Sequence, residues 1–229
     1  MKIEVFEDAV AAANKGAAVI AAEARAAVGA RGRFVMAVSG GHTPWLMLQA
    51  LATQDVPWHA VYVAQVDERV APSGDPDRNL THLRESLLGH VPLPADHVLP
   101  MPVESADLQQ AALDYAQTLA SVAGSPIVLD LVHLGLGADG HTASLVPGDP
   151  VLDVIDADVA VTGIYQGRQR MTLTYPALNR ARRILWLVAG SDKVPALCRL
   201  RDAEPSIPAG RVIQAQALVL ADRAAAADL

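Results

Sequence analysis

A chain of 229 residues with 18 basic and 25 acidic side chains, net charge −7, offers no electrostatic footprint for DNA or RNA, and no basic run supplies a local one. Its 52% hydrophobic content provides a core, and its 19% charged content argues against disorder. The single cysteine, Cys198, excludes an internal disulfide, and its apolar setting (VPALC) reads as buried.

The length fits one generous domain over residues 1–229. The opening MKIEVFEDAV has no basic segment followed by an apolar one, so no signal peptide and a cytoplasmic location are expected. Ala9–Ala30 is rich in alanine but broken by Asn14, Lys15, Glu23 and Arg25, which fits an amphipathic helix and not a membrane span. Arg33–Ser39 reads as a strand, Pro44–Leu51 as a helix and Ala60–Val66 as a second strand. Leu80–Leu88 reads as a helix stopped by Gly89, and Asp107–Val122 as a helix with apolar spacing near 3.6. Ile127–Leu134 is continuously apolar, the pattern of a strand buried on both faces. Met171–Thr174 and Arg183–Val188 follow as strands, Asp192–Leu200 as a helix and Ala217–Leu220 as a last apolar run. Strands that alternate with helices predict an α/β fold: a single doubly wound, largely parallel sheet with helices on both faces, Rossmann-like in layout. Ligands of such sheets bind beyond the carboxyl ends of the strands.

Unusual residues gather at those ends. Ser39-Gly40-Gly41-His42-Thr43-Pro44 follows the first strand. Its glycines let the backbone approach an anion, Thr43 is expected to cap the helix, and free N–H groups at the helix start suit a phosphate. An ordinary strand–turn–helix corner has the same composition. Ala37–Gly41 also approximates a nucleophile elbow, with Ser39 as nucleophile. The second strand runs into Asp67-Glu68-Arg69, charges that are costly at a buried strand end unless paired or turned toward a site, and Asn79 falls near the next helix start. The third leads into Gly135-Leu136-Gly137-Ala138-Asp139-Gly140-His141, where an imidazole that titrates near neutrality can take a proton from water and a carboxylate can hold its other nitrogen. Gly135, Gly137 and Gly140 match G-x-G-x-x-G only formally. Arg168, Arg170 and Lys193 offer the local positive charge that an acidic chain needs to hold an anion. No cysteine pair and no short histidine spacing suggests a metal.

Together SGGHTP (39–44), DER (67–69) with Asn79, GLGADGHTASLVPG (135–148), RMTLTYPALNRA (170–181) and GSDK (190–193) resemble the 6-phosphogluconolactonase family, in family order. That family is similar in fold to glucosamine-6-phosphate deaminases and isomerases. The resemblance implies a lactone hydrolase of the oxidative pentose phosphate pathway that uses no metal and no organic cofactor. Its partner would be a small sugar-phosphate lactone, with neither nucleic acid nor membrane, and the protein a monomer or small homo-oligomer. It further implies that Gly40, Gly41, Thr43, Asn79, Gly137, Arg170 and Lys193 bind substrate. His141 would activate water, Arg69 would face the developing oxyanion or the product carboxylate, and Asp67 or Asp139 would orient His141. His42, Arg78 and Val146 depart from the family's usual residues. The related deaminases typically carry a glutamate where this chain has Val146, which favours lactonase over deaminase. A non-catalytic sugar-phosphate sensor on the same fold is the third reading.

Overall fold

Runs of four or five buried residues make the centre of the fold. The computed structural model covers Met1–Leu229. Its strands β2 (Phe34–Val38), β6 (Leu131–Leu134) and β9 (Ile184–Val188) are buried at every position. They join β1 (Lys2–Phe6), β3 (Val61–Gln65), β5 (Val98–Leu99) and β10 (Ala217–Asp222) in a seven-stranded sheet ordered β1-β10-β9-β6-β2-β3-β5, parallel throughout.

Helices cover both faces. Helices α1 (Ala9–Arg31), α2 (His42–Ala52) and α3 (Asn79–Ser86) pack Ile20, Met47, Leu48 and Leu83 against one face. Helices α4 (Leu108–Ala123), α5 (Tyr175–Asn179) and α6 (Val194–Arg201) pack Tyr115, Leu119, Leu178 and Leu197 against the other. Each fully buried leucine or isoleucine stabilises by about 1.5–3 kcal/mol. The expected doubly wound α/β layout is therefore present. Local chemistry sets the helix ends: Asp8 Oδ1 accepts from Ala11 N–H at 2.8 Å to start α1, and Gly32, at φ 74°, ends it. No helix is long and apolar enough to cross a membrane.

Several expectations shift. The strand expected over Ile127–Leu134 starts only at Leu131, because the Asp130 carboxylate accepts from Val35 N–H at 2.9 Å and its Oδ1 takes two bonds from Arg31. Helix α2 begins at His42 with Gly41, not Thr43, in the capping position, and no side chain caps it. Cys198 is partly exposed rather than buried. The sequence reading also lacks a second, three-stranded antiparallel sheet in the order β4-β8-β7, formed by β4 (Asp67–Arg69), β8 (Arg170–Leu173) and β7 (Val159–Val161). Met171, Leu173 and Val159 anchor it to the α4–α6 core.

The chain runs outward from β2 through β3 to β5, then returns to β6 on the opposite side of β2. The carboxyl ends of β2 and β6 thus form the topological switch point, where open α/β sheets leave a crevice. The glycine-rich segments 39–44 and 135–141 start there.

Candidate active site

A cavity of about 430 Å³ opens at this switch point, a size suited to a small ligand. Its wall includes Gly40, Gly41, Thr43, Asp67, Arg69, Asn79, Gly137, His141, Arg170 and Lys193, so ten of the residues singled out in the sequence converge on one space. Asp139 stands behind His141 and does not line the cavity.

The His141 ring lies directly against Gly137: a Cβ on Gly137 would stand 2.0 Å from His141 Nδ1 and 2.6 Å from Asp139 Oδ1. Only glycine admits that approach. His141 Nδ1 is 2.5 Å from Asp139 Oδ1, and the same oxygen accepts from His141 N–H at 3.1 Å. A carboxylate is acceptor-only, so Nδ1 carries the proton and Nε2 is left as the ring's free acceptor. Burial opposes the charged form of Asp139, but the bonds from His141 and from the Tyr165 hydroxyl outweigh it and hold the carboxyl below its usual range. Asp67 has other partners. Its Oδ2 accepts from Ser144 Oγ at 2.6 Å, and its Oδ1 lies 3.3 Å from Asn79 Nδ2. Burial pushes the Asp67 carboxyl up, against the Ser144 bond and the charges of Arg69 and Arg170.

Strand β4 separates chemistry from scaffolding by simple alternation. Asp67 and Arg69 reach the cavity, whereas Glu68 turns away and is fully buried. Glu68 Oε1 accepts from the N–H groups of Arg69 and Asn79, both at 2.8 Å. Its Oε2 accepts from Gln65 Nε2 at 2.8 Å and Leu80 N–H at 2.9 Å, and lies 3.0 Å from Arg78 Nε. This carboxylate therefore caps α3, whose start has no other side-chain cap, and Arg78 is its buried counter-ion. Asn79, positioned by that cap, donates to Asp67 O at 2.9 Å and packs so closely on Gly40 that a Cβ there would stand 2.0 Å from its Oδ1.

Arg69 and Arg170 face each other in register across β4 and β8. Like charges directly opposed destabilise a sheet. Each also has a buried Nε without a hydrogen-bond partner. Burial, and then Arg69, oppose the charged form of Arg170. Two crowded, under-satisfied guanidinium groups in one cavity wall are what an anion would relieve. Across the cavity, the uncapped start of α2 presents its backbone with Gly41 at φ 121°, a conformation that glycine alone adopts easily. Lys193 lies in the turn after β9, with its Nζ 2.9 Å from Asp192 Oδ2.

Two rival readings fail on geometry. Ser39 is buried, and its hydroxyl donates to His133 O at 3.0 Å, not to a base. No helix follows Gly140; the chain forms a tight Thr142–Leu145 bridge, so a dinucleotide turn is absent. The sequence reading passed over Tyr165 and gave Ser144 and Glu68, which lie inside its motifs, no role of their own; all three hold the site residues from behind. The usable signal was the strand alternation in DER, which sets Glu68 apart from its neighbours. No group of three or more His, Cys, Asp or Glu side chains gathers in a metal-ligand arrangement.

The fold and site define a doubly wound α/β protein whose switch-point cavity joins a carboxylate-held imidazole to a wall carrying two opposed guanidinium groups. Residues 7–220 match the family described as glucosamine-6-phosphate isomerases/6-phosphogluconolactonase. A 6-phosphogluconolactonase from Synechocystis sp. is 41% identical over 196 residues, covering 83% of this chain and 81% of that protein. The crystal structure of 6-phosphogluconolactonase from Thermotoga maritima superposes with a TM-score of 0.85 at 25% identity, covering 96% of this chain and 98% of the other. A monomeric glucosamine-6-phosphate deaminase superposes with a TM-score of 0.86 at 18% identity, covering 99% of each chain, a likeness of fold alone. The chain belongs to the glucosamine-6-phosphate isomerase/6-phosphogluconolactonase family.

Proposed function

We propose that the protein hydrolyses 6-phosphoglucono-lactone to 6-phosphogluconate. The observation that carries this reading is the joining, in one cavity, of the Asp139-held His141 and the opposed guanidinium groups of Arg69 and Arg170. The substrate phosphate sits against the Gly40–Thr43 turn with Arg170 and Lys193. His141 Nε2 takes a proton from water as its oxygen attacks the lactone carbonyl, and Asp139 stabilises the imidazolium that forms. Arg69 balances the oxyanion, an electrostatic contribution that needs no reorganisation. The carbonyl re-forms, the bond to the ring oxygen breaks, and that oxygen takes the proton back from His141. The products are the open chain's hydroxyl and carboxyl groups.

The test is lactone hydrolysis with substrate generated in situ, read against spontaneous hydrolysis, with EDTA present and His141→Ala in parallel. Acceleration that survives EDTA and vanishes in the variant is expected. No acceleration, with ammonia released from glucosamine-6-phosphate instead, would overturn the proposal.

A further inference from the structure

One residue that touches three parts of the site is absent from the cavity wall. Tyr165 lies in the connection between β7 and β8, where Tyr165 and Arg168 exchange backbone hydrogen bonds of 3.0 and 3.2 Å. Gln166 (φ 52°) and Gly167 (φ 78°) make the two-residue turn between them, the left-handed pair that twists correctly for a hairpin. The tip is tied down from outside: Arg168 Nε donates to Asp77 Oδ2 at 2.8 Å, and its Nη2 lies 3.3 Å from Asp75 Oδ2. Held this way, Tyr165 directs its hydroxyl to Asp139 Oδ2 at 3.2 Å. Its ring meets His141 edge-on, with centroids 5.6 Å apart and planes at 62°. The Arg170 guanidinium lies over the same ring, 5.0 Å from its centroid, and Arg170 Nη2 also reaches Gln166 Oε1 at 3.3 Å.

We infer that Tyr165 is a positioning residue with two separable parts: its hydroxyl fixes the Asp139 carboxylate that orients His141, and its ring is the platform that sets Arg170. The two oxygens of Asp139 are thereby divided, Oδ1 to His141 and Oδ2 to Tyr165, so the carboxylate cannot rotate without losing one partner. The Tyr165 hydroxyl, like any phenol at working pH, keeps its proton and donates it; burial and the nearby Asp139 charge push it higher still. A platform under Arg170 offsets part of its crowding by Arg69 through a cation–π contact. The kinetic consequences rest on the lactonase reading; the consequence for the state of the His141 ring does not.

The experiment compares Tyr165→Phe, which keeps the ring, with Tyr165→Ala, which loses both parts. The readouts are lactone-hydrolysis kinetics and the nitrogen-15 shifts of the His141 ring, which report its tautomer. Tyr165→Phe is expected to lower kcat about three- to tenfold with KM within about twofold, and to move the ring nitrogens from the Nδ1–H pattern toward a tautomer average. Tyr165→Ala is expected to raise KM by a further factor of about three to ten. A wild-type tautomer in Tyr165→Phe overturns the link through Asp139, whatever happens to kcat. A changed tautomer with unchanged kcat removes its relevance to the reaction, and equal KM in the two variants removes the platform. If the wild-type protein does not hydrolyse the lactone, the nitrogen shifts still decide the positioning, and only the activity reading falls.

Discussion

Gly137→Ala is a sharp test of the site because the structure fixes what the added methyl would strike. Its Cβ would stand 2.0 Å from His141 Nδ1, 2.3 Å from Cε1 and 2.6 Å from Asp139 Oδ1. Ordinary contact begins near 3.4 Å, so the ring must retreat by about 3.4 − 2.0 = 1.4 Å. A displacement of about 1 Å in a reacting group can cost about 100-fold in rate, or about 2.7 kcal/mol of barrier. The His141 side chain is partly exposed and free to swing outward, so the fold should survive. Gly29→Ala is the control, since Gly29 lies in α1, outside the cavity wall, and its Cβ meets nothing within 4 Å. We expect kcat/KM for the lactone to fall at least about 100-fold in Gly137→Ala and to stay within about threefold of wild type in Gly29→Ala, with thermal midpoints for both near wild type. Activity of Gly137→Ala within about threefold of wild type, beside an inactive His141→Ala, would refute the claim that the Asp139–His141 geometry governs the rate.

Three further outcomes follow from the same contacts. Lys193→Ala should raise KM by more than it lowers kcat, and a fall in kcat alone would contradict a phosphate-holding role. Arg78→Ala leaves Glu68 buried without its counter-ion and should cost about 3–5 kcal/mol in urea unfolding; a loss under about 1 kcal/mol would show that the four remaining hydrogen bonds to that carboxylate suffice. Burial pushes the His133 imidazole from its ordinary 6.5 down to about 3, so it stays neutral in the fold while the unfolded chain takes up a proton below pH 6.5. Its contribution is therefore complete above pH 6.5 and lost as pH falls toward 3, about 2 kcal/mol by pH 5. Unfolding curves at pH 7 and 5 should show His133→Gln losing about 2 kcal/mol less than wild type over that range, and equal losses would place the acid sensitivity elsewhere.

The parallel sheet and both helical layers were legible because their signals are local: apolar runs such as Phe34–Val38 and Ile184–Val188 have one comfortable environment. The edge strand β1 was not, since its half-exposed, mixed residues carry no apolar run. Strands β4 and β7 have three residues each, too few for periodicity to register. The cavity-lining residues stood out because glycine and charge at strand ends are expensive without a purpose. Tyr165 and Ser144 did not, because their roles depend on contacts 26 and 77 residues distant in sequence. The choice between Asp67 and Asp139 as the neighbour of His141 likewise depended on distances that spacing alone does not give.

The division of labour along β4 bears on how this protein can change over time. Residue 68 answers to the scaffold alone, 69 faces the cavity, and 67 does both, since Asp67 lines the cavity and also holds Ser144 and Asn79. Drift at 69 is felt first in the cavity and drift at 67 in cavity and fold together, whereas any drift at 68 is stopped at the level of the protein's abundance in the cell. Adjacent codons in one three-residue strand are thus under different selection. A saturation library across them would separate into variants that fold with an altered cavity and variants that never accumulate.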